Sequence, residues 1–272
     1  PRQNKIRSAH CCTRCCHLWK RPILSDVHSA DYVITVCALT AQYRQTFSQA
    51  MTRQSGARAR ALNRTYEQAV RELTANDTVL GRLIERVGPC GLGAEQKPRT
   101  TTFEALLEAI THQQLSLKAA ATIFGRVKTL SPELDPGSFL DIDESALRAA
   151  GLSRAKVLAV HDLAKRSCNG EVPSMEALDK MDDESIVSTL SKVRGIGRWS
   201  AEMLLMFRLG RLDVLPTQDL GVQQGFTASF RKSNKPIAKA IEHRGERWRP
   251  YRSVVSWYLW RAAEQARDKS KR

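Results

Sequence analysis

The sequence predicts an all-α fold from about residue 66 onward, with two helical lobes and a cleft between them. Apolar residues recur there at three- and four-residue steps, which is the period of an amphipathic helix. The clearest series are Phe103, Leu106, Leu107 and Ile110, and then Ile123, Phe124 and Val127. No comparable stretch alternates apolar and polar residues as a half-buried strand would. We therefore expect helices joined by loops and no sheet.

The predicted helices follow one another with proline, glycine or serine at their boundaries. Ser116 lies between two apolar runs and should cap the helix that follows, because its hydroxyl can accept a hydrogen bond from a free amide. Pro132, Pro136 and Gly137 interrupt the pattern, and Pro173 marks a further loop. The other predicted helices are 66–80, 147–163, 182–190, 201–209, 237–241 and 252–266.

A glycine-containing turn precedes the predicted helix 201–209. Gly195 and Gly197 flank the apolar Ile196, and the two glycines let the backbone turn tightly with its amides uncovered. The next helix adds the positive end of its dipole, so the turn is suited to hold an anion. Three cations lie beside the turn in the sequence: Lys192, Arg194 and Arg198. The expected anion is therefore a phosphate of a nucleic acid.

One carboxylate stands at a fixed distance from this turn. Asp219 lies 22 residues after Gly197, in a segment that contains Pro216 and should therefore leave the helix and turn back. A phosphate-binding turn together with one carboxylate indicates chemistry on a nucleotide. Taken alone, Asp219 is better explained as a helix cap, because aspartate is a common capping residue. We interpret the neighbouring acids Asp213 and Glu202 as structural or surface groups.

These residues carry a resemblance to a known family. The chain is similar to the helix-hairpin-helix (HhH-GPD) DNA glycosylases, in particular to the branch that removes alkylated bases such as 3-methyladenine. The resemblance covers roughly residues 70–265, and its motifs occur in the family's order. The four collinear matches are Gly195–Gly197 with Trp199 and Ala201, Leu215–Val222, Ile110–Ser116 with Ala119 and Ala120, and Arg249–Ser253 with Trp257–Trp260; Gly151–Lys156 also fits.

The resemblance implies a reaction and a catalytic residue. Breaking the bond between a sugar and a base develops positive charge on the sugar, and a fixed carboxylate that faces this charge stabilises the transition state. The resemblance assigns that role to Asp219. Relatives that also cut the DNA backbone carry a lysine at the position of Trp199, and tryptophan cannot form the Schiff base. We therefore expect a monofunctional enzyme that leaves an abasic site.

The resemblance also implies a pocket for a base that is swung out of the duplex. Trp199, Met203 and Trp260 are expected to line this pocket, because electron-poor methylated purines stack well on aromatic faces. Met203 stands where some relatives carry an aromatic residue, which should alter the range of accepted bases. The alternative interpretation of each tryptophan is ordinary packing in the core.

A corner of the chain is expected to fill the space that the base leaves in the DNA. By the resemblance, Gln114 is the wedge and Leu115 its neighbour, with Gln113 and Ser116 in support. The alternative is that the glutamines satisfy backbone groups at a helix end. Arg252 should either support the catalytic segment or contact phosphate. The hairpin residues expected at a phosphate are Arg194, Gly195, Ile196, Gly197 and Arg198.

Charge is unevenly distributed along the chain. The 272 residues carry a formal net charge of +15, which favours nucleic acid as a partner. Residues 1–66 hold 11 of the 43 Lys and Arg residues but only two acids, Asp26 and Asp31. We expect residues 1–65 to be a basic N-terminal extension, unfolded or foreign to the native chain, with Met51 as a candidate start. Residues 66–272 would then form the glycosylase domain.

The sequence gives no reason to expect a required cofactor. Four clustered cysteines, Cys11, Cys12, Cys15 and Cys16, would hold zinc if His10 and His17 closed the site. Free thiols are the preferred interpretation, because no second ligand pair follows at a distance. Cys90 and Cys168 are too few for an iron–sulfur cluster. The resemblance allows a monovalent cation between carbonyls of the hairpin.

The expected partner is double-stranded DNA with damaged bases, bound by a monomer that does not associate with membranes. The expected location is the nucleoid or cytoplasm of a bacterium or the nucleus of a eukaryote. Two alternatives stay open: a non-catalytic DNA-binding or damage-sensing protein with the same hairpin, and a glycosylase for uracil or mismatched bases. Asp219 separates the first alternative from an enzyme, because a plain binding module gains nothing from a carboxylate beside phosphates.

Overall fold

The computed structural model describes residues 64–95, 97, 100–230 and 236–270. Of the expected N-terminal extension, residues 1–65, only the last two residues lie in these ranges. The expectations for its clustered cysteines therefore fall outside the described residues. Every regular element in these described ranges is helical, which confirms the predicted all-α class. Residues 64–76 form α1. The helices that follow are α2 (Thr78–Val87), α3 (Thr102–His112), α4 (Leu117–Leu130), α5 (Pro136–Asp141), α6 (Glu144–Ala149), α7 (Arg154–Cys168), α8 (Met175–Asp179), α9 (Asp183–Leu190), α10 (Arg198–Leu204), α11 (Leu220–Ser229), α12 (Ile237–Gly245) and α13 (Arg252–Ser270). A π turn, Leu205–Leu209, extends α10, and a 3₁₀ turn, Glu246–Trp248, follows α12.

The helices pack in two groups, which correspond to the two expected lobes. In the first group, α3 packs on α4 and α7, α5 packs on α7, and α9 packs on α10. In the second group, α11 lies along α13, both contact α2, and α12 packs on α11. Aromatic pairs help to fill each group: Phe103 lies against Phe139, and Phe226 lies against Trp248. Buried apolar side chains of both groups form one continuous core.

The predicted helix 66–80 is two helices in the structure. Asp77 separates α1 from α2, because its Oδ1 accepts hydrogen bonds from the amides of Val79 (3.0 Å) and Leu80 (3.1 Å) and so caps α2. The same carboxylate accepts hydrogen bonds from Arg244 and from the indole of Trp248. A tertiary contact therefore fixes a break that the apolar pattern does not show.

The predicted helix 147–163 is also interrupted. Gly151 has a φ of +110°, a conformation that favours glycine, and it ends the first piece after α6. Ser153 then caps α7 by accepting a hydrogen bond from the amide of Lys156 (3.4 Å). The interruption turns the chain so that α7 packs against both α3 and α5.

No helix in the described ranges is both long enough and apolar enough to cross a membrane. The longest of the helices, α13, extends over 19 residues and carries arginine, glutamate and aspartate along its length. Residues 253–259 of α13 are all buried, and the exposed residues follow at 266–268.

The closest approach between helices joins α11 to α13. A Cβ atom added to Gly225 would lie only 1.8 Å from the carbonyl oxygen of Leu259, far inside van der Waals contact. Glycine is therefore required at this position by space rather than by backbone conformation. The contact matters for the site described below, because α11 begins at Asp219 and α13 carries Trp260.

We predict that Gly225→Ala lowers the free energy of unfolding by about 3 kcal/mol or more, because the new methyl group meets backbone atoms that cannot rotate away. The matched control is Gly125→Ala in α4, where an added Cβ meets no atom within 4 Å. Alanine there should be neutral or stabilise the protein by about 0.5–1 kcal/mol. Urea unfolding of the two variants measures both effects, and equal stability would contradict the close approach.

Candidate active site

Three hydrogen bonds from three helices hold the carboxylate of Asp219. As the N-cap of α11, its Oδ1 accepts the amide hydrogen of Val222 (2.7 Å). The indole N–H of Trp260 donates to the same oxygen (2.7 Å), and the indole N–H of Trp199 donates to Oδ2 (2.7 Å). Asp219 is therefore a helix cap, as its position in the sequence suggested. The cap does not exclude a catalytic role, because Oδ2 is free of it.

Trp260 and Trp199 meet Asp219 in different surroundings. Trp260 is half-buried and stacks on Phe207, with ring centroids 5.9 Å apart and an interplanar angle of 20°. Trp199 is 48% exposed, which is unusual for so large an apolar side chain. A Cβ added to Gly221 would lie 2.7 Å from Trp260, so the start of α11 needs glycine to admit the indole.

A cavity of about 640 Å³ lies between α3 and the face of α10 with its π turn. Trp199 and Met203 line it, as the resemblance predicted for the base pocket. Trp260, the third residue predicted for the base pocket, is not among the residues that line this cavity. Its indole is turned to Asp219 and its ring packs on Phe207, which does line the cavity.

Several residues that line the cavity were missed by the sequence reasoning. Phe207 follows Trp199 and Met203 at helical spacing, and the shared face of residues four apart could have indicated it. Glu108 and His112 are polar residues four apart on α3, with apolar residues between them. The signal was therefore present. The π turn that places Phe207 has no recognisable sequence signal, although such turns are frequent at functional sites.

The predicted wedge corner is a strained turn joined to the hairpin. Gln114 has a φ of +58°, which is uncommon outside glycine, and its side chain and that of Leu115 are exposed. Gln113 is turned inward, and its side-chain amide donates to the carbonyl oxygen of Gly195 (2.8 Å). Ser116 caps α4 as predicted, through the amide of Ala119. The corner therefore presents Gln114 and Leu115 outward.

The hairpin between α9 and α10 has the geometry expected of a backbone anion site. Gly195 has a φ of +80°, where a Cβ would also lie 3.2 Å from Ala159. Gly197 is the N-cap of α10, and no side chain caps the amides of that first turn. An added Cβ on Gly197 would meet no atom within 4 Å, so the space in front of the hairpin is open.

Three of the hairpin residues expected at a phosphate have contacts within the protein. Ile196 is buried, and its amide donates to the carbonyl of Val193, so it anchors the turn and offers nothing to a phosphate. The amide of Arg194 donates to Asp162 (2.8 Å), which leaves only its side chain for DNA. The guanidinium of Arg198 forms two hydrogen bonds with Glu184. Because that pair is exposed, a phosphate can replace it at little cost.

Arg252 lies against the segment that leads to Asp219. Its guanidinium bonds the carboxylate of Asp213 (2.7 Å) and the Asp213 carbonyl (2.9 Å), so it supports that segment and is not directed to a phosphate. Two serines on α13 add to the support: Ser253 bonds the backbone of Arg211 and Val214, and Ser256 bonds Val214. Sequence reasoning missed both serines, because buried serine has no distinctive pattern.

Glu202 is buried rather than a surface group. It is 9% exposed, and burial is the main reason why its pKa rises to about 7. Arg198 opposes this rise, whereas the charges of Glu184 and Asp219 add to it. Asp213, by contrast, forms ion pairs with Arg249 and Arg252 and is structural as predicted.

Comparison with known proteins identifies the family. The family model described as "HhH-GPD superfamily base excision DNA repair protein" matches residues 107–250, just over half of the chain. The chain belongs to the HhH-GPD superfamily. It is a DNA glycosylase of base excision repair. The resemblance stated from the sequence is thereby confirmed.

Individual HhH-GPD relatives agree with this assignment. The alkylbase DNA glycosidase-like protein mag2 of Schizosaccharomyces pombe is 32% identical over 72% of this chain and 92% of its own. DNA-3-methyladenine glycosylase 1 of the same organism is 34% identical over 60% of this chain and 73% of its own. The crystal structure of a DNA-3-methyladenine glycosidase from Bacillus halodurans has a TM-score of 0.64 at 32% identity, covering 74% of this chain and 91% of that one.

A second solved HhH-GPD structure includes DNA. The 3-methyladenine DNA glycosylase Mag1 of Schizosaccharomyces pombe, in complex with abasic DNA, has a TM-score of 0.62 at 31% identity. The similarity covers 72% of this chain and 97% of that chain. The two-lobed helical fold is therefore that of this superfamily.

We predict that Glu202→Gln stabilises the protein above neutral pH but not in acid. The folded-state pKa of about 7 exceeds the ordinary 4.5, so the protonated carboxyl contributes stability that is complete below pH 4.5 and lost as the pH rises through 7. Glutamine imitates the protonated form at every pH. Thermal unfolding at about pH 8 should show a gain of about 1–3 kcal/mol, and none at about pH 4. Glu67→Gln, on the exposed face of α1, is the control, and a gain independent of pH would contradict the prediction.

Proposed function

We propose that this chain flips alkylated purines of the 3-methyladenine type out of duplex DNA and removes them by hydrolysis, leaving an abasic site. The observation that carries the proposal is the Asp219 carboxylate, which two indoles and one amide hold beside a cavity of base-binding size. The names of the relatives support the substrate class, since one is called alkylbase DNA glycosidase-like and the other DNA-3-methyladenine glycosylase.

The chemistry follows from the position of that charge. As the bond from the sugar to the base breaks, the sugar gains positive character, and the fixed carboxylate stabilises it at no cost of reorganisation. The same carboxylate can orient the attacking water. A purine alkylated at a ring nitrogen is already cationic and leaves readily. One carboxylate therefore suffices where sugar hydrolases use two.

The absence of a lysine at position 199 supports a monofunctional reaction. Trp199 has no amine with which to form a Schiff base, so the abasic sugar stays in the DNA strand with both of its phosphate bonds intact. Lys192, in the turn before Gly195, precedes the hairpin and belongs to a different part of its surface. The indole of Trp199 instead serves to hold Asp219 and to line the cavity.

Duplex DNA is the proposed partner. The hairpin offers uncovered amides at Gly197 and exchangeable cations at Arg194 and Arg198, and the corner at Gln114 and Leu115 provides the wedge. The abasic DNA in the Mag1 complex supports this. A monovalent cation at the hairpin would share the carbonyl of Gly195 with Gln113. We propose a monomer that needs no cofactor, acting wherever genomic DNA is found.

We predict that Asp219→Asn abolishes base release, with at least a hundredfold loss, while the fold persists. Asparagine keeps an oxygen for the cap of α11 but loses the charge that faces the sugar. The measurement is alkali cleavage of methylated duplex DNA after incubation with each variant. Asp135→Asn, which changes the cap of α5 only, should remain active. If Asp219→Asn had wild-type activity, Asp219 would not be the catalytic residue. If the wild type bound DNA tightly but released no base, a damage-sensing protein would be favoured.

We predict that Gly197→Ala weakens binding to every duplex by about tenfold, or roughly 1.4 kcal/mol, without altering stability. The φ of −102° at this residue suits alanine, and the added methyl group meets only open space in the free protein. It would, however, hold a phosphate away from the amides. Fluorescence anisotropy with several undamaged sequences measures the loss, with Gly125→Ala as control. A loss confined to one sequence, or none, would contradict a phosphate contact.

A further inference from the structure

The wall of the cavity opposite Trp199 and Met203 is polar. It is formed by α3, which presents Glu108 and His112 one turn apart among apolar neighbours. Neither residue has a part in the reaction proposed above. A few polar groups in a mainly apolar pocket usually fix the orientation of a ligand and select it.

Glu108 forms ion pairs with two cations, one buried and one exposed. Arg208, which is 8% exposed, bonds Oε2 and ties α3 to the π turn. Lys97 bonds Oε1 at 2.7 Å, and its side chain is 46% exposed. A buried charge pair is costly to break, whereas an exposed lysine pair is worth about 1 kcal/mol or less. Oε1 is therefore the oxygen that a ligand can take over.

The protonation of this wall is also determined by its contacts. Burial by itself would raise the pKa of Glu108, but the hydrogen bond and charge of Lys97 and the charge of Arg208 hold it below its ordinary value. Burial lowers the pKa of His112, against the opposing charge of Glu108. At neutral pH the wall thus presents one carboxylate and one uncharged imidazole.

We propose that Glu108 selects the base: its Oε1 accepts a hydrogen bond from the exocyclic amino group of a flipped alkylated purine, which displaces the ammonium of Lys97. This rests on the proposed function of the same cavity. A cationic aminopurine such as 3-methyladenine supplies both the N–H group and the positive charge that a carboxylate favours. Ethenoadenine, whose bridge ties up the amino nitrogen, supplies neither and would leave the carboxylate facing a base without donors.

Glu108→Gln tests the inference, because glutamine keeps the shape and the bond to Arg208 but removes the charge. Release of 3-methyladenine from methylated DNA should fall about tenfold, and release of ethenoadenine from an oligonucleotide should not fall. Glu104→Gln is the matched control, since Glu104 also lies on α3 and pairs with a lysine, Lys128, but does not line the cavity.

Binding of the free bases, followed by tryptophan fluorescence, measures the hydrogen-bond part of this selection without chemistry. The free 3-methyladenine base keeps its amino group, although it leaves the sugar as an uncharged molecule. The wild type should bind 3-methyladenine more tightly than ethenoadenine, and Glu108→Gln should remove most of that difference. The inference would be overturned if Glu108→Gln lost affinity for both bases equally, or if it bound and released 3-methyladenine as the wild type does. The proposed function would still stand in either case. Selective binding by a wild type that releases no base would overturn the proposed function and support the selection by Glu108.

Discussion

The fixed position of one carboxylate is the constraint on which the rest of the site depends. Asp219 receives hydrogen bonds from α10, α11 and α13, so its place is determined only when all three helices are packed. The close approach at Gly225 sets the distance between α11 and α13, and Gly221 leaves room for the indole of Trp260. Arg252, Ser253 and Ser256 then hold the segment that leads to the carboxylate. The packing of the core therefore also determines the geometry of the site.

The two walls of the cavity have different properties. The α10 wall supplies Trp199, Met203 and Phe207, which offer flat or deformable apolar surfaces to any purine. The α3 wall supplies Glu108 and His112, which can distinguish purines by their polar edges. In our proposal, the α10 wall stacks on any purine, and the α3 wall recognises the polar edge of the base.

A hydrogen bond joins the corner that carries the expected wedge to the hairpin. The side-chain amide of Gln113 donates to the carbonyl of Gly195, so the wedge corner and the hairpin are held in register. Lys156 reinforces the corner by donating to the carbonyls of Thr111 and Gln113. In our proposal, a phosphate bound at the hairpin therefore sets where Gln114 and Leu115 meet the base stack. Gln113 therefore does more than satisfy backbone groups at a helix end.

The sequence by itself determined the helical class, the hairpin glycines and the cap at Ser116, because each depends on spacing or on residue type over short distances. It also marked Asp219 as a helix cap, whereas the catalytic role of Asp219 came from the family resemblance. Only the tertiary structure decided that Trp260 holds Asp219 instead of lining the cavity, that Ile196 is an anchor, and that Glu202 is buried. It also decided the breaks at Asp77 and Gly151 and the polar wall at Glu108. The contacts of Trp260 with Asp219 and of Arg244 with Asp77 join side chains 41 and 167 residues apart, and no local pattern records such distant contacts.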